Sequence, residues 1–402
     1  MKVITKEKPI KLYILADRPI DKRFWKYWIF ELLDEMKINF VVLQLTFVHD
    51  FLKDQKVTPP IRKNEIQVLQ FSKENLVIEY LDHNVDKKSL VFFYTWAAPN
   101  LFMNLFSYVD RNYENYYYLM HGLGDNTNDH PIISNVFEKI WVWYKKIRFA
   151  FGMKRRFRGP KYWLDSTRMR IKAQYPYLGP LGFRTKLIVT GNHFLERFLY
   201  SKQFQSQIKK TEERKSALWL DQNLPNVDQF GYRIELDAKK YYKGLSLIFN
   251  HLKSIGYDVY LTVHPDTSEH DKNVLEIKLL KNSAKILNIP SEIASIEVDL
   301  ILTHDSTASY FGVLANKPIV NLMYEHLFDE LMNQSIKGLS RELNSPLIHF
   351  DENQFDPLDF DKVTINLKSY QKFKNQYILG NQNTPPYVYM KTLIRKEIES
   401  VW

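Results

Sequence analysis

LTVHPDTS (residues 261–268) and THDSTAS (303–309) present the same arrangement twice. Each closes a short apolar run, DVYLTV (258–263) and DLILT (299–303), that reads as a buried strand, and each opens a polar stretch able to start a helix. Strand, polar loop and helix in that order form the unit of a parallel α/β sheet. Loops at the strand C-termini are where such sheets meet phosphorylated ligands. ALWLDQN (217–223) begins the pattern, and a helix at Lys239–Ser254 follows. Strands at 284–290 (AKILNIP) and 318–322 (PIVNL), with a helix from about Ser306 to Leu314 between them, extend it. Helical patterns at 325–343 and 363–375 complete a doubly wound domain expected over 206–375.

Working outward, QSQIKKTEERKS (205–216) is polar and lacks an apolar period, which marks a domain boundary. Before it, 1–205 alternates in the same way. Strands are expected at 10–16, 39–46, 90–95, 116–120 and 185–192, and an amphipathic helix at Arg23–Met36. The loops after the first strands are ADRPIDK (16–22), TWAAPN (95–100) and HGLGDNTND (121–129). In the last, His121 follows a buried strand, two glycines allow close backbone approach, and Asp125 lies four residues on. A capped turn, with His121 satisfied by backbone and Asp125 as a helix N-cap, explains the same residues. The tail 376–402 is expected to end in a helix at Lys391–Trp402.

Bulk composition is that of a globular protein. The 402 residues suit two domains, and 45% hydrophobic with 25% charged residues is neither disordered nor membrane-embedded. Apolar runs such as LVFFYTWAA fall short of the ~20 residues that span a bilayer. IKLYILA (10–16) is short for a signal-peptide core and lacks a following cleavage site, so it reads as the first strand. The absence of cysteine excludes disulfides and thiolate metal sites, and a cytoplasmic location is expected.

The net charge of +10 is local. Twelve Lys and Arg against one acid fall between Lys139 and Lys172, which leaves the rest of the chain near neutral. Within the segment 131–172, residues 131–158 carry apolar positions at helical spacing, with Trp141, Trp143, Phe149 and Phe157 interleaved among Lys154, Arg155, Arg156, Arg158 and other cations. A basic aromatic helix suits an anionic membrane surface or an acidic polymer. A core helix with a solvated basic face is the plain alternative. Nucleic acid is not expected, because the aromatics follow helix spacing rather than forming a stacking platform.

The chemistry is expected where the second-domain loops gather: Asp221 and Gln222, His264 and Pro265, Pro290, and Ser306, Thr307 and Ser309. Hydroxyls and unpaired N–H groups at a helix start cradle a phosphate. A histidine fixed by a following proline can donate to a phosphoryl oxygen. This His-Pro with a later Ser/Thr pair resembles the GT-B bacterial sialyltransferases and capsular polysialyltransferases. In those families these residues hold the CMP phosphate. KILNIPSEI (285–293) is similar to their base-side segment, and WLDQN (219–223) to the strand opening their donor domain. The chain also resembles the CDP-glycerol glycerophosphotransferases of teichoic-acid synthesis. Their HG motif matches His121-Gly122, their HP motif His264-Pro265, and their T-D-Y-S-S motif Thr303-His304-Asp305-Ser306-Thr307, with His-Asp in place of Asp-Tyr. The acidic-acidic-Gly motif of the sialyltransferases is not present in that form.

The resemblance implies a GT-B-like α/β fold, two Rossmann-like doubly wound domains facing a cleft. It implies a metal-independent glycosyltransferase without cofactor, moving a sugar from a nucleotide-activated donor to a hydroxyl of a bacterial surface glycan or lipid-linked acceptor, with a CDP-polyol phosphotransferase of teichoic-acid or capsule type as the alternative. A CMP-linked acidic sugar is the first expectation for the donor and a CDP-linked polyol the second. The acceptor hydroxyl must lose a proton as it attacks, so a base is expected from the first domain: His121, then Asp125, with Asp17 as a further candidate. The basic helix would hold the chain peripherally at the inner face of the plasma membrane. An NDP-sugar 2-epimerase and a non-catalytic membrane- or glycan-binding protein are the remaining readings.

Overall fold

The computed structural model describes residues 12–17, 33, 35, 40–48, 67–95, 102–120, 158–165, 185–192, 194–202, 214–225, 228–229, 232–233, 236–264, 267, 280, 283–327, 330–380 and 386–401. Contacts gather these into two compact units. One takes in the described residues up to Asn192 together with those after 378, and the other lies between 194 and 378.

The first unit is a seven-stranded, wholly parallel sheet. Its strands are β1 (Leu12–Ala16), β2 (Phe40–Leu45), β3 (Gln67–Phe71), β4 (Leu90–Thr95), β5 (Tyr116–Met120), β6 (Tyr162–Asp165) and β7 (Lys186–Val189), in the order β3-β2-β1-β4-β5-β6-β7. LYILA, FVVLQL and LVFFYT are buried at every position, as a sheet covered on both faces requires. Helices α1 (Glu74–Asn84) and α2 (Met103–Asn112) set Val77, Leu81, Leu105, Phe106 and Val109 into a core with Tyr13, Leu15, Leu43 and Phe93. The alternate residues, Leu12, Ile14, Val42 and Phe92, share the opposite core with Met390, Ile394 and Ile398 of the C-terminal helix. After β7, Gly191 takes φ +89°, the left-handed turn that the Gly-Asn pair foretells.

The second unit opens with α3 (Phe194–Ser201), whose Phe194 packs edge-on against Phe311. Its strands are β8 (Lys215–Leu220), β9 (Asp228–Gln229) and β10 (Tyr232–Arg233) as a separate small antiparallel pair, β11 (Tyr257–Thr262), β12 (Lys285–Ile286), β13 (Leu300–Thr303), β14 (Ile319–Tyr324) and β15 (Leu347–Phe350). Six of them form a parallel sheet ordered β12-β11-β8-β13-β14-β15, the Rossmann order 3-2-1-4-5-6. The helices are α4 (Ala238–Ser254), α5 (Ser291–Glu297), α6 (Ser309–Leu314), α7 (Glu330–Leu343) and α8 (Leu367–Phe373), followed by one π turn; α9 (Pro386–Val401) returns to the first unit. Trp219 lies at the centre of the core, fully buried among Tyr241, Phe249, Leu261 and Leu302.

The strand expected over 284–290 shrinks to two residues, because only Lys285 and Ile286 pair, with Tyr260 and Leu261 of β11. The helix expected from Ser306 starts at Ser309. Of the helix expected over Arg23–Met36 only Leu33 and Glu35 are among the described residues, and the basic aromatic segment up to Phe157 lies outside them. Among the described residues no helix is long and apolar enough to cross a membrane.

Candidate functional site

In a sheet of order 3-2-1-4-5-6 the chain turns outward in opposite directions from β8 and β13, opening a crevice at their C-terminal ends. Pairing of Leu302 with Trp219 brings the loop after β8 beside the loop after β13. Gln222 and Asp305 span the gap: the Gln222 amide donates to Asp305 Oδ1 at 2.8 Å, and the Asp305 N–H donates to Gln222 Oε1 at 3.3 Å. Asn223, at φ +50°, turns the chain away, a conformation asparagine accepts better than most residues.

Beneath this clasp lies a buried polar layer. Asp221 donates its N–H to the Thr262 carbonyl at 3.1 Å, which ties the β8 loop to β11. Its Oδ1 receives a long 3.4 Å bond from the Trp219 indole, and its Oδ2 has no hydrogen-bond partner among the described residues. Burial pushes its carboxyl up to about 6, against the lowering pull of nearby backbone and indole N–H groups. His304 is also fully buried. Its Nδ1 lies 2.6 Å from the Leu322 carbonyl, which can only accept, so Nδ1 carries the proton and Nε2 accepts from the Tyr241 hydroxyl at 2.7 Å. Burial pulls this imidazole down to about 4, so it is neutral at physiological pH. Asn321 binds the His304 carbonyl at 2.7 Å and is itself held by Ser345 at 2.8 Å.

The Ser/Thr loop differs from the expected cradle. Its N–H groups are largely spent inside the turn: Ser306 N–H on the Thr303 hydroxyl, Ala308 N–H on Ser306 Oγ, and Ser309, Tyr310 and Phe311 N–H on the carbonyls three residues back. Ser309 is fully buried with its hydroxyl unpartnered among the described residues, because it starts α6 facing the core. The hydroxyls left at the surface are those of Ser306 and Thr307, both half-buried. His264 is half-buried at the end of β11, and its carbonyl accepts from Thr267 N–H at 2.9 Å. Pro290 is exposed at the start of α5, where Ser291 Oγ meets the Thr262 hydroxyl at 3.3 Å. Pro265 lies outside the described residues. Asp221, Gln222, His264, Ser306 and Thr307 thus share one sheet edge, Asp221 beneath the surface and Pro290 toward the β12 end.

His121, Asp125, Lys154, Arg155 and Arg156 fall outside the described residues. Asp17 follows β1 and is fully buried, beside β4 in the strand order. Arg158 is committed to the fold. Its Nε donates to the Asp110 carbonyl at 2.9 Å, and its guanidinium also contacts that carbonyl and that of Tyr113. Its N–H and that of Gly159 bind the Asp110 carboxylate at 2.9 and 2.8 Å. A cation closing the last turn of α2 complements the helix dipole.

Sequence reasoning missed His304 as the buried centre of this sheet edge. Its signal was present, since a histidine inside an otherwise apolar strand end calls for two buried partners, and Tyr241 and Leu322 supply them.

No protein-family model and no curated protein matches the chain. Among solved structures, a variant of the wall teichoic acid polymerase TagF is 14% identical, with a TM-score of 0.51 over 98% of this chain and 90% of that chain. A variant of the same polymerase soaked with CDPG gives a TM-score of 0.52 at 12% identity with the same coverage. A putative UDP-N-acetylglucosamine 2-epimerase from Listeria monocytogenes covers 98% of both chains at 11% identity and a TM-score of 0.45. With its two parallel sheets, the chain has a GT-B-type α/β fold.

Proposed function

We propose that this protein is a transferase that binds a nucleotide-activated donor along the C-terminal edge of the second sheet and passes a group from it to an acceptor hydroxyl. One observation carries the reading: the 3-2-1-4-5-6 order sets the loops of Gln222, His264 and Ser306-Thr307 on a single edge around its switch point. His264 and the Ser306 and Thr307 hydroxyls hold the donor phosphate, and Pro290 flanks the base. Asp221 shapes the crevice from below. His121, assisted or replaced by Asp125, takes the acceptor proton.

A CDP-linked polyol donor now stands ahead of a CMP-linked acidic sugar. The HG, HP and T-D-Y-S-S-like motifs occur in the order found in the glycerophosphotransferases, and a polymerase soaked with CDPG shares the fold over 98% of this chain. The acceptor is a surface glycan or lipid-linked glycan, reached through the basic segment at the membrane face. The CMP-sugar reading is kept for its HP and KILNIPSEI segments.

The deciding experiment is a thermal-shift panel of CMP, CDP, CDP-glycerol, UMP, UDP and GDP, because a ligand of the native state raises the melting temperature. Cytidine nucleotides should stabilise the protein, and His264→Ala should cut that response at least tenfold in apparent affinity, the loss of a charge-assisted contact. Silence toward every nucleotide would sink the transferase reading. A wild-type response in His264→Ala would move the phosphate elsewhere on the edge.

A further inference from the structure

Beyond the switch point the same edge continues past β14 and β15 into polar groups that the phosphate site does not use. Tyr324 ends β14, and His326 follows it with the two rings edge-on at 5.4 Å. Glu352 follows β15. Its Oε2 lies 3.5 Å from His326 Nε2, and its Oε1 lies 3.8 Å from Lys240 Nζ in the first turn of α4. Other carboxylates there are occupied. Asp237 caps α4 through the N–H groups of Lys239 and Lys240, Asp351 closes its own turn onto Asn353 and Gln354 N–H, and Glu325 is held by His349 at 2.6 Å.

Glu352 Oε2, apart from its ion pair with His326, and the Tyr324 hydroxyl are both buried without a hydrogen-bond partner among the described residues, Tyr324 being 1% exposed. The phenol faces the cluster: burial first, then the charges of Glu352, Asp237 and Asp351, push it up to about 12. Buried orphans of this kind are rare and costly. His326, half-exposed, and Lys240, more exposed still, form the rim.

The chemistry selects the occupant. Carboxylates repel a phosphate, whereas a carboxylate oxygen accepts from hydroxyls and a phenol or imidazole can donate to them or accept from them. Strands about 4.8 Å apart put the β15 loop roughly 10 Å from the β13 loop, within reach of a pentose or a short polyol attached to the phosphate.

We propose that Tyr324, His326 and Glu352, with Lys240 at the rim, form a subsite for vicinal hydroxyls of the donor, so that the ligand lies with its phosphate over β11–β13 and its hydroxyl-bearing part over β14–β15. This rests on the nucleotide-donor reading above. The hydroxyls belong either to the ribose or to the transferred group, and the test separates the two.

Calorimetric titration of the wild type, Glu352→Gln and Tyr324→Phe with CMP, 2′,3′-dideoxy-CMP, CDP and CDP-glycerol reads the subsite directly. Glu352→Gln should weaken a hydroxyl-bearing probe about tenfold or more, with Tyr324→Phe acting in the same direction. If the ribose is bound, the preference for CMP over its dideoxy form disappears in Glu352→Gln. If the transferred group is bound, the preference for CDP-glycerol over CDP disappears instead. Wild-type discrimination retained by both variants, while nucleotide still binds, overturns the subsite alone. A wild type that binds none of the four overturns the subsite together with the reading beneath it.

Discussion

Asp221 and His304 sit on neighbouring strand ends, and burial moves their protonation in opposite directions. The imidazole falls from 6.5 to about 4, so the folded state binds fewer protons than the unfolded chain between those values. His304 therefore contributes stability that is complete above pH 6.5 and lost as the pH falls toward 4. The Asp221 carboxyl rises from 3.8 to about 6, so the folded state binds more protons there, and its contribution is lost as the pH rises from 3.8 to 6. The two slopes oppose each other across pH 4–6. Asp221→Asn removes one of them. The variant should gain on the wild type as the pH rises from 4 to 6, by a few kcal/mol at most, and its own stability should fall on acidification from 6.5. Urea unfolding at steps across that range checks it, and a difference independent of pH would mean that Asp221 is not held as described. The sequence placed Asp221 on the correct edge but not its depth, because depth follows from strand order. Nothing local in WLDQN says that β13 will lie beside β8.

At the level of elements, the long apolar strands were legible because burial on both faces leaves no polar alternation to misread. Short or capped elements were not. AKILNIP looks like a strand, yet pairing ends after Ile286, and Pro290 then leads into α5. The Ser/Thr run promised free N–H groups, which the turn before α6 consumes. Helix α4 illustrates a constraint that periodicity does not show. A Cβ on Gly244 would lie 2.4 Å from the Asp351 carbonyl oxygen and 2.8 Å from Phe350 Cδ2, so the helix rests directly on the end of β15. Gly244→Ala gains about 1 kcal/mol of helix propensity, but it forces that backbone aside at a cost of about 1–3 kcal/mol. The expected outcome is a net loss of roughly 1 kcal/mol in urea unfolding, together with a displaced Glu352 turn. A neutral or stabilised variant would contradict the close approach.

At the scale of the whole molecule, the charge is concentrated in one block. Arg158 is bound to the carbonyls at the end of α2, so its charge serves the fold. Lys154, Arg155 and Arg156 are the neighbouring cations of the same run on which the proposed membrane role is tested. Each cation near an anionic leaflet adds about 1 kcal/mol, so replacing these three by glutamine should cost about 3 kcal/mol, roughly a hundredfold in binding to phosphatidylserine vesicles at low salt. Nucleotide-induced stabilisation should be unchanged, because the proposed donor residues lie in the second unit. Arg158→Ala should do the reverse, lowering the melting temperature through a loss of roughly 1 kcal/mol while vesicle affinity changes little. Cosedimentation with vesicles and thermal melts on both variants separate the two roles. If the triple variant binds vesicles as tightly as the wild type, the basic block is a solvated face, and the acceptor must be reached by another route.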